Sequence, residues 1–206
     1  MAARPGVEMS AHVEPEWAMV TVLFVDIRGF TALADRSTAR EAADYLNEFF
    51  AVAVPVVPAH GGHVNKLLGD GLLGVFGAPA PLADHADRAL AAGLALLDAV
   101  EHQMGDRCRI GIGLNSGLVL VGTFGGVGYT ELGVVGDPVN VAARVQDATR
   151  DLGERLLLTE ATRRLLDNPD AAKGLTARGS VTLKGKAEPI VVHGLTSRNA
   201  FRTPQA

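Results

Sequence analysis

Met19-Val20-Thr21-Val22-Leu23-Phe24-Val25-Asp26 is an unbroken run of β-branched and apolar residues that ends on a carboxylate. A strand apolar on both faces belongs at the centre of a sheet covered by layers on each side. The run therefore predicts a central strand of a mixed α/β fold, with Asp26 at its end.

The flanking sequence supports that reading. Thr38-Ala39-Arg40-Glu41 is a capping box, and Ala42, Tyr45, Leu46, Phe49, Phe50, Ala53, Val56 and Val57 follow at helical spacing. Pro55, Pro58 and Gly61-Gly62 end or kink that helix. Two short apolar runs, residues 63–68 and 72–76, are joined by Gly69-Asp70-Gly71, whose Asp-Gly pair signals a hairpin with Asp70 at the turn. Asp84 opens a second amphipathic helix, carried by Ala86, Ala89, Leu90, Gly93, Leu94 and Leu97. Strand-like runs follow at 109–114 and 117–122, and Gly125-Gly126-Val127-Gly128 reads as a loop. Asp137 at the cap and Pro138 at the first helical position predict another helix. A short strand at 156–159, a helix over 160–166 and a hairpin through 181–183 and 190–192 complete the pattern.

The chain has 206 residues, a formal charge of −4 and 48% apolar composition, which predicts one globular domain. Residues 1–17 read as a flexible lead-in, 18–196 as the domain and 197–206 as a flexible tail. Cys108 has no second cysteine to pair with, which suggests an intracellular, cytoplasmic setting. The mild acidity, with no basic cluster, excludes a nucleic-acid or anionic-membrane footprint, and no apolar run approaches the ~20 residues of a membrane span. Six histidines include no pair at zinc-helix spacing, and no Gly-x-x-x-x-Gly-Lys loop occurs.

Asp26 and Asp70 become neighbours if their strands pair in one sheet, and two such carboxylates suit a hard cation. The words around them are Phe24-Val25-Asp26-Ile27-Arg28-Gly29-Phe30-Thr31 and Gly61-Gly62-His63-Val64-Asn65-Lys66-Leu67-Leu68-Gly69-Asp70-Gly71. Gly136-Asp137-Pro138-Val139-Asn140-Val141-Ala142-Ala143-Arg144 and Leu183-Lys184-Gly185-Lys186 follow. In this order they closely resemble the class III nucleotidyl cyclases, the adenylate and guanylate cyclase catalytic domains, from about Met19 to Leu195.

The resemblance implies a ferredoxin-like palm, an α+β arrangement with a central, mainly antiparallel sheet flanked by helices. It implies two divalent cations, Mg²⁺ or Mn²⁺, held by Asp26, Asp70 and the backbone carbonyl of Ile27. Backbone N–H groups of Gly29, Phe30 and Thr31 would meet triphosphate oxygens. Asn140 would orient the ribose, Arg144 would bind the α-phosphate, and Lys184, with Lys186 as the alternative, would bind phosphate. Lys66 falls at the position that reads the purine, and a lysine, which only donates, suits the N1 acceptor of adenine. ATP is thus the implied substrate and 3′,5′-cyclic AMP the product.

Two positions depart from the pattern. Gly133, seven residues before Asn140, stands where an aspartate or threonine commonly accepts from the adenine amino group, leaving a backbone carbonyl, a water or nearby Glu131 to replace it. Gly111 stands where related domains often carry a basic residue, and Arg109 on the same strand face is the expected compensation. In the family the metal aspartates of one protomer work with the remaining residues of the other, so a chain with both sets is an expected homodimer. The resemblance also leaves room for a regulatory domain in a longer native chain. The rival readings are a guanylate or relaxed-specificity cyclase and a catalytically silent, dimerising nucleotide-binding module.

Overall fold

The computed structural model describes residues 14–126, 129–182 and 188–196. In chain order the elements are β1 (Glu16–Ile27), α1 (Phe30–Ala34), α2 (Ala39–Ala53), α3 (Val56–Ala59), β2 (His63–Leu68), β3 (Gly71–Phe76) and α4 (His85–Met104). They continue with β4 (Ile110–Gly126), β5 (Tyr129–Val135), α5 (Asp137–Asp151), β6 (Leu156–Thr159), α6 (Glu160–Arg163), α7 (Pro169–Lys173), β7 (Leu175–Val181) and β8 (Ile190–Leu195). The strands form one sheet in the order β2-β3-β1-β4-β6-β8-β7, with β5 pairing β4 alone. Every pairing is antiparallel except β4 with β6, so the expected mainly antiparallel sheet flanked by helices is present.

Strand β1 is central and double-faced, as its composition requires. Leu23, Val25 and Ile27 pack with Phe49 of α2 and Leu90 and Leu96 of α4. Val20 and Val22, on the other face, pack with Val119 of β4 and Ala142 of α5. Helix α2 starts at the capping box read in the sequence: Thr38 accepts from the Glu41 amide while the Glu41 carboxylate accepts from Thr38 N–H.

Helix α5 lies hard against β4 because Gly113 has no side chain. A Cβ there would overlap the backbone nitrogen of Gln146 and come within 2.6 Å of the Ala142 carbonyl oxygen. Gly113→Ala is therefore expected to cost about 2–3 kcal/mol through overpacking and to displace α5. Urea denaturation measures this, and a midpoint equal to wild type would refute the close contact.

A buried polar chain also reaches α5. His85 Nδ1 lies 2.7 Å from Thr21 Oγ1, which lies 2.7 Å from Ser116 Oγ. Ser116 contacts Thr162 Oγ1 at 3.1 Å, and Thr162 contacts Thr159 Oγ1 at 3.2 Å. Thr159 donates to Asn115 Oδ1 at 2.8 Å, and Asn115 Nδ2 donates to the Pro138 carbonyl at 2.9 Å, in the first turn of α5. All six side chains belong to buried residues, so each hydroxyl needs these partners.

Several sequence expectations shift. Glu16 and Trp17 are the first residues of β1, paired with Val121 and Leu120, because long-range pairing extends a segment whose composition reads as lead-in. The runs at 109–114 and 117–122 are parts of one strand that begins at Ile110 and includes Gly125 and Gly126, which pair with Thr130 and Tyr129. The turn between β2 and β3 is Gly69-Asp70, with Gly69 at φ 63° and Gly71 already paired to Leu68. Gly136 caps α5 and Asp137 is its first residue, with no side-chain capping bond. Helix α6 stops at Arg163, and α7 is an addition whose signal was legible, since Asn168 before Pro169 accepts from the amides of Asp170 and Ala171.

Candidate active site

Asp26, the penultimate residue of β1, lies opposite Gly71, and the Ile27 amide donates to the Asp70 carbonyl at 3.3 Å. The two strand ends thus bring both carboxylates to one cleft, lined also by Ile27, Gly29, Phe30 and Thr31. Gly29 sits at φ 75°, a left-handed turn that folds the chain from β1 directly into α1.

The cleft is electrostatically loaded. The Asp26 carboxyl is pushed up to about 6, first by burial and then by the Asp70 charge, while Arg150 and Arg28 pull it down and Asp147 raises it. Two carboxylates that repel each other in a partly dry cleft are residues that would suit a divalent cation, whose charge would offset theirs. Among the described residues no cluster of three or more His, Cys, Asp or Glu side chains exists to hold a metal more fully.

The sign of the pH effect follows from that raised value. Between about pH 4 and pH 6 the unfolded chain ionises Asp26 before the folded chain does, so the metal-free fold loses stability as pH rises through this window. Asp26→Asn is expected to remove that loss, gaining about 1 kcal/mol at pH 7 after allowing for the half-exposed side chain, or about 2–4 °C in Tm. Melting curves at pH 5 and 7 in chelator check this, and an unchanged pH dependence would exclude the repulsion.

A second cluster forms where β2 meets β5. Asn65 Nδ2 donates to the Leu132 carbonyl at 2.8 Å, and Lys66 Nζ donates to Glu131 Oε1 at 2.9 Å. Successive strand residues normally face opposite sides, but a register shift between Val64 and Lys66 lets both reach β5. Gly133 is buried on β5, two residues from Glu131 and on the same face.

Asn140 and Arg144 lie one turn apart on the exposed face of α5, and neither lines the Asp26–Asp70 cleft. Lys184 and Lys186 lie outside the described residues. The structure thus gathers Asp26, Ile27, Gly29, Phe30, Thr31 and Asp70 in one place, and Lys66 with the Gly133 strand in another.

A sequence model of the adenylate and guanylate cyclase catalytic domain matches residues 13–196. Uncharacterized protein Rv1320c of Mycobacterium tuberculosis is 40% identical over 171 residues, 83% of this chain and 30% of that protein. Uncharacterized protein Rv1319c of the same organism is 38% identical over 168 residues, 82% of this chain and 31% of that protein. The chain therefore spans about a third of the length of the curated relatives it matches. Among solved structures, the adenylyl cyclase CyaB of P. aeruginosa superposes with a TM-score of 0.80 at 25% identity, over 92% of this chain and 100% of that one. The guanylyl cyclase Cya2 superposes with a TM-score of 0.75 at 28% identity, over 90% of this chain and 94% of that one. The chain belongs to the adenylate and guanylate cyclase catalytic domain family.

Within this cyclase domain the expected compensation at Gly111 is different from the one read in the sequence. Arg109 lies just before β4, with its guanidinium 3.6 Å from Asp106 and its side chain 76% exposed, so strand alternation does not aim it at the cleft. A Cβ on Gly111 would meet Thr149 Oγ1 at 2.5 Å and Gln146 Nε2 at 3.0 Å, with Arg28 Nη2 at 3.3 Å, so Arg28 already occupies that neighbourhood. Arg28 and Arg150 are the basic residues that line the cleft. Sequence reasoning missed both: Arg28 lies inside a quoted motif, while Arg150 reaches the cleft only through the packing of α5. No helix among the described residues is long and apolar enough to cross a membrane.

Proposed function

We propose that this cyclase domain is an adenylate cyclase, converting ATP to 3′,5′-cyclic AMP and pyrophosphate at sites shared by two copies of the chain. The observation that carries this reading is the division of the residues. Asp26 and Asp70 share one cleft, while Asn140 and Arg144 stand exposed on α5 outside it. A second copy supplies what each cleft lacks, and a pair related by two-fold symmetry forms two equivalent sites.

Divalent cations, Mg²⁺ or Mn²⁺, would acidify the ribose 3′ hydroxyl and neutralise triphosphate charge there. Asp26, Asp70 and the Ile27 carbonyl would hold them. Backbone N–H groups at Gly29, Phe30 and Thr31 would contact the phosphates, with Arg28 and Arg150 contributing positive charge where Gly111 has none. From the partner, Asn140 would orient the ribose and Arg144 would stabilise charge growing on the α-phosphate; Lys184 has the corresponding phosphate role from the sequence. The 3′ oxygen attacks the α-phosphorus in line, the bond to the β-phosphate bridge breaks, pyrophosphate leaves and the hydroxyl proton passes to solvent. Positioning and electrostatics suffice, with no covalent intermediate.

Lys66 favours ATP because an ammonium donates to adenine N1 but opposes the N1–H of guanine. Gly133 favours the second reading, a guanylate or relaxed-specificity cyclase, since its missing side chain removes one usual selector. The test is cyclic nucleotide formation from ATP and GTP in parallel, in Mg²⁺ and in Mn²⁺, at two protein concentrations. Cyclic AMP in excess, with specific activity falling on dilution, supports the proposal. Cyclic GMP in excess would transfer it to the second reading, and no product from a folded dimer would leave a silent module.

A further inference from the structure

Glu131 is not among the residues that the family resemblance carries over, yet it lies at the centre of the base-reading cluster. Its carboxylate accepts from Lys66 Nζ at 2.9 Å, and both side chains stay partly open, at 36% and 42% exposure. Neither is sealed away from a ligand. On β5, Glu131 and Gly133 are two residues apart, so their Cα–Cβ directions fall on one face. Phe124 of β4 is the cross-strand partner of Glu131 and leans toward Gly133. A Cβ built on Gly133 would lie 2.8 Å from the Phe124 ring, so no acceptor side chain fits at 133 while the ring stays there.

From this geometry we infer that Glu131 is a specificity-determining residue that accepts the 6-amino group of adenine, beside Lys66 donating to N1. The inference rests on the adenylate cyclase reading and deepens it. The chemistry is complementary in both halves. A carboxylate only accepts and an ammonium only donates. Adenine offers a donor at its 6-amino group and an acceptor at N1, matching the pair. Guanine offers an acceptor at O6 and a donor at N1, opposing both. Because Lys66 and Glu131 belong to one chain, they serve the same site in a dimer. The substitution pattern is thus a transfer of the acceptor by two positions along β5, with Phe124 filling the vacated space.

The discriminating pair of substrates is ATP and purine riboside triphosphate, which retains N1 but lacks the 6-amino group. Wild type is expected to favour ATP in kcat/KM by about tenfold or more, the usual effect of one hydrogen bond to a charged group. Glu131→Ala should bring that preference to within about twofold, chiefly by slowing ATP, while Glu131→Gln, which keeps a neutral acceptor oxygen, should retain part of it. If Glu131 merely holds Lys66 in place, both substrates fall equally and the preference survives, which overturns the inference. Absence of any preference in wild type overturns it too. Calorimetric binding of the same two nucleotides in Mg²⁺, run on the same proteins, keeps the outcomes separate. If no cyclic product forms but ATP binds preferentially and Glu131→Ala removes the preference, the base contact stands while the cyclase reading fails. If neither nucleotide binds, both fail. Thermal melts of the variants, expected to match wild type for a half-exposed pair, exclude misfolding as the cause.

Discussion

Equal amounts of Asp26→Ala and Arg144→Ala protein, each inactive alone, are expected to regain about a quarter of wild-type activity on mixing. Random pairing makes half the dimers mixed. In a mixed dimer one site receives both damaged residues and the other receives neither, so one of its two sites is intact. The expectation follows from the placement of the two residues: Asp26 in the cleft at the end of β1, Arg144 on the exposed face of α5 outside it. Cyclic AMP formation by each variant and by the mixture measures it. Activity of the mixture no greater than the sum of its parts, with exchange of subunits demonstrated, would place a complete site within one chain and sink the shared-site proposal.

Asp26→Ala by itself is expected to lower kcat by about a thousandfold or more, because half of the carboxylate pair proposed to hold the divalent cations disappears. What marks this loss as chemical is its companion effect on stability. The Asp26 carboxyl is pushed up to about 6 by burial and by Asp70, so removing it relieves a penalty in the metal-free fold. The variant should therefore melt no lower than wild type in chelator. A fall in both activity and Tm would assign Asp26 a structural role. Stability given up at a site that needs charge is a common trade in enzymes.

The central strand, the capping box of α2, the β2–β3 hairpin and the short strand at 156–159 rest on local signals, and these were legible. Alternating or double-faced apolar runs report burial, and burial decides the layers. Less legible was everything set by contacts distant in sequence. Glu16 and Trp17 join β1 only because β4 runs far enough to pair with them. Arg150 enters the cleft because Gly113 lets α5 settle onto β4, a distance that no spacing rule encodes. Arg109 was expected to face the phosphates by strand alternation, but the strand begins one residue later and the side chain turns to Asp106. The carboxylate pair shows the boundary well. Asp70 alone reads as a turn residue and Asp26 as the end of an apolar run, and their juxtaposition is a property of the β1–β3 register. Glu131 lies between these cases, since the sequence placed it near Gly133 and the structure supplied its bond to Lys66.

The buried polar chain from His85 to Pro138 has one proton order. Each hydroxyl owns a single hydrogen, and Thr159 must spend its own on Asn115 Oδ1, because the Asn115 amide is committed to the Pro138 carbonyl. Thr162 must then donate to Thr159, Ser116 to Thr162 and Thr21 to Ser116, which leaves Thr21 only an acceptor toward His85. Burial pushes His85 down and keeps its ring neutral, so its hydrogen resides on Nδ1 and Nε2 carries the lone pair. A tautomer at the start of α4 is thereby dictated by a carbonyl in the first turn of α5, and the string of dipoles between them points one way.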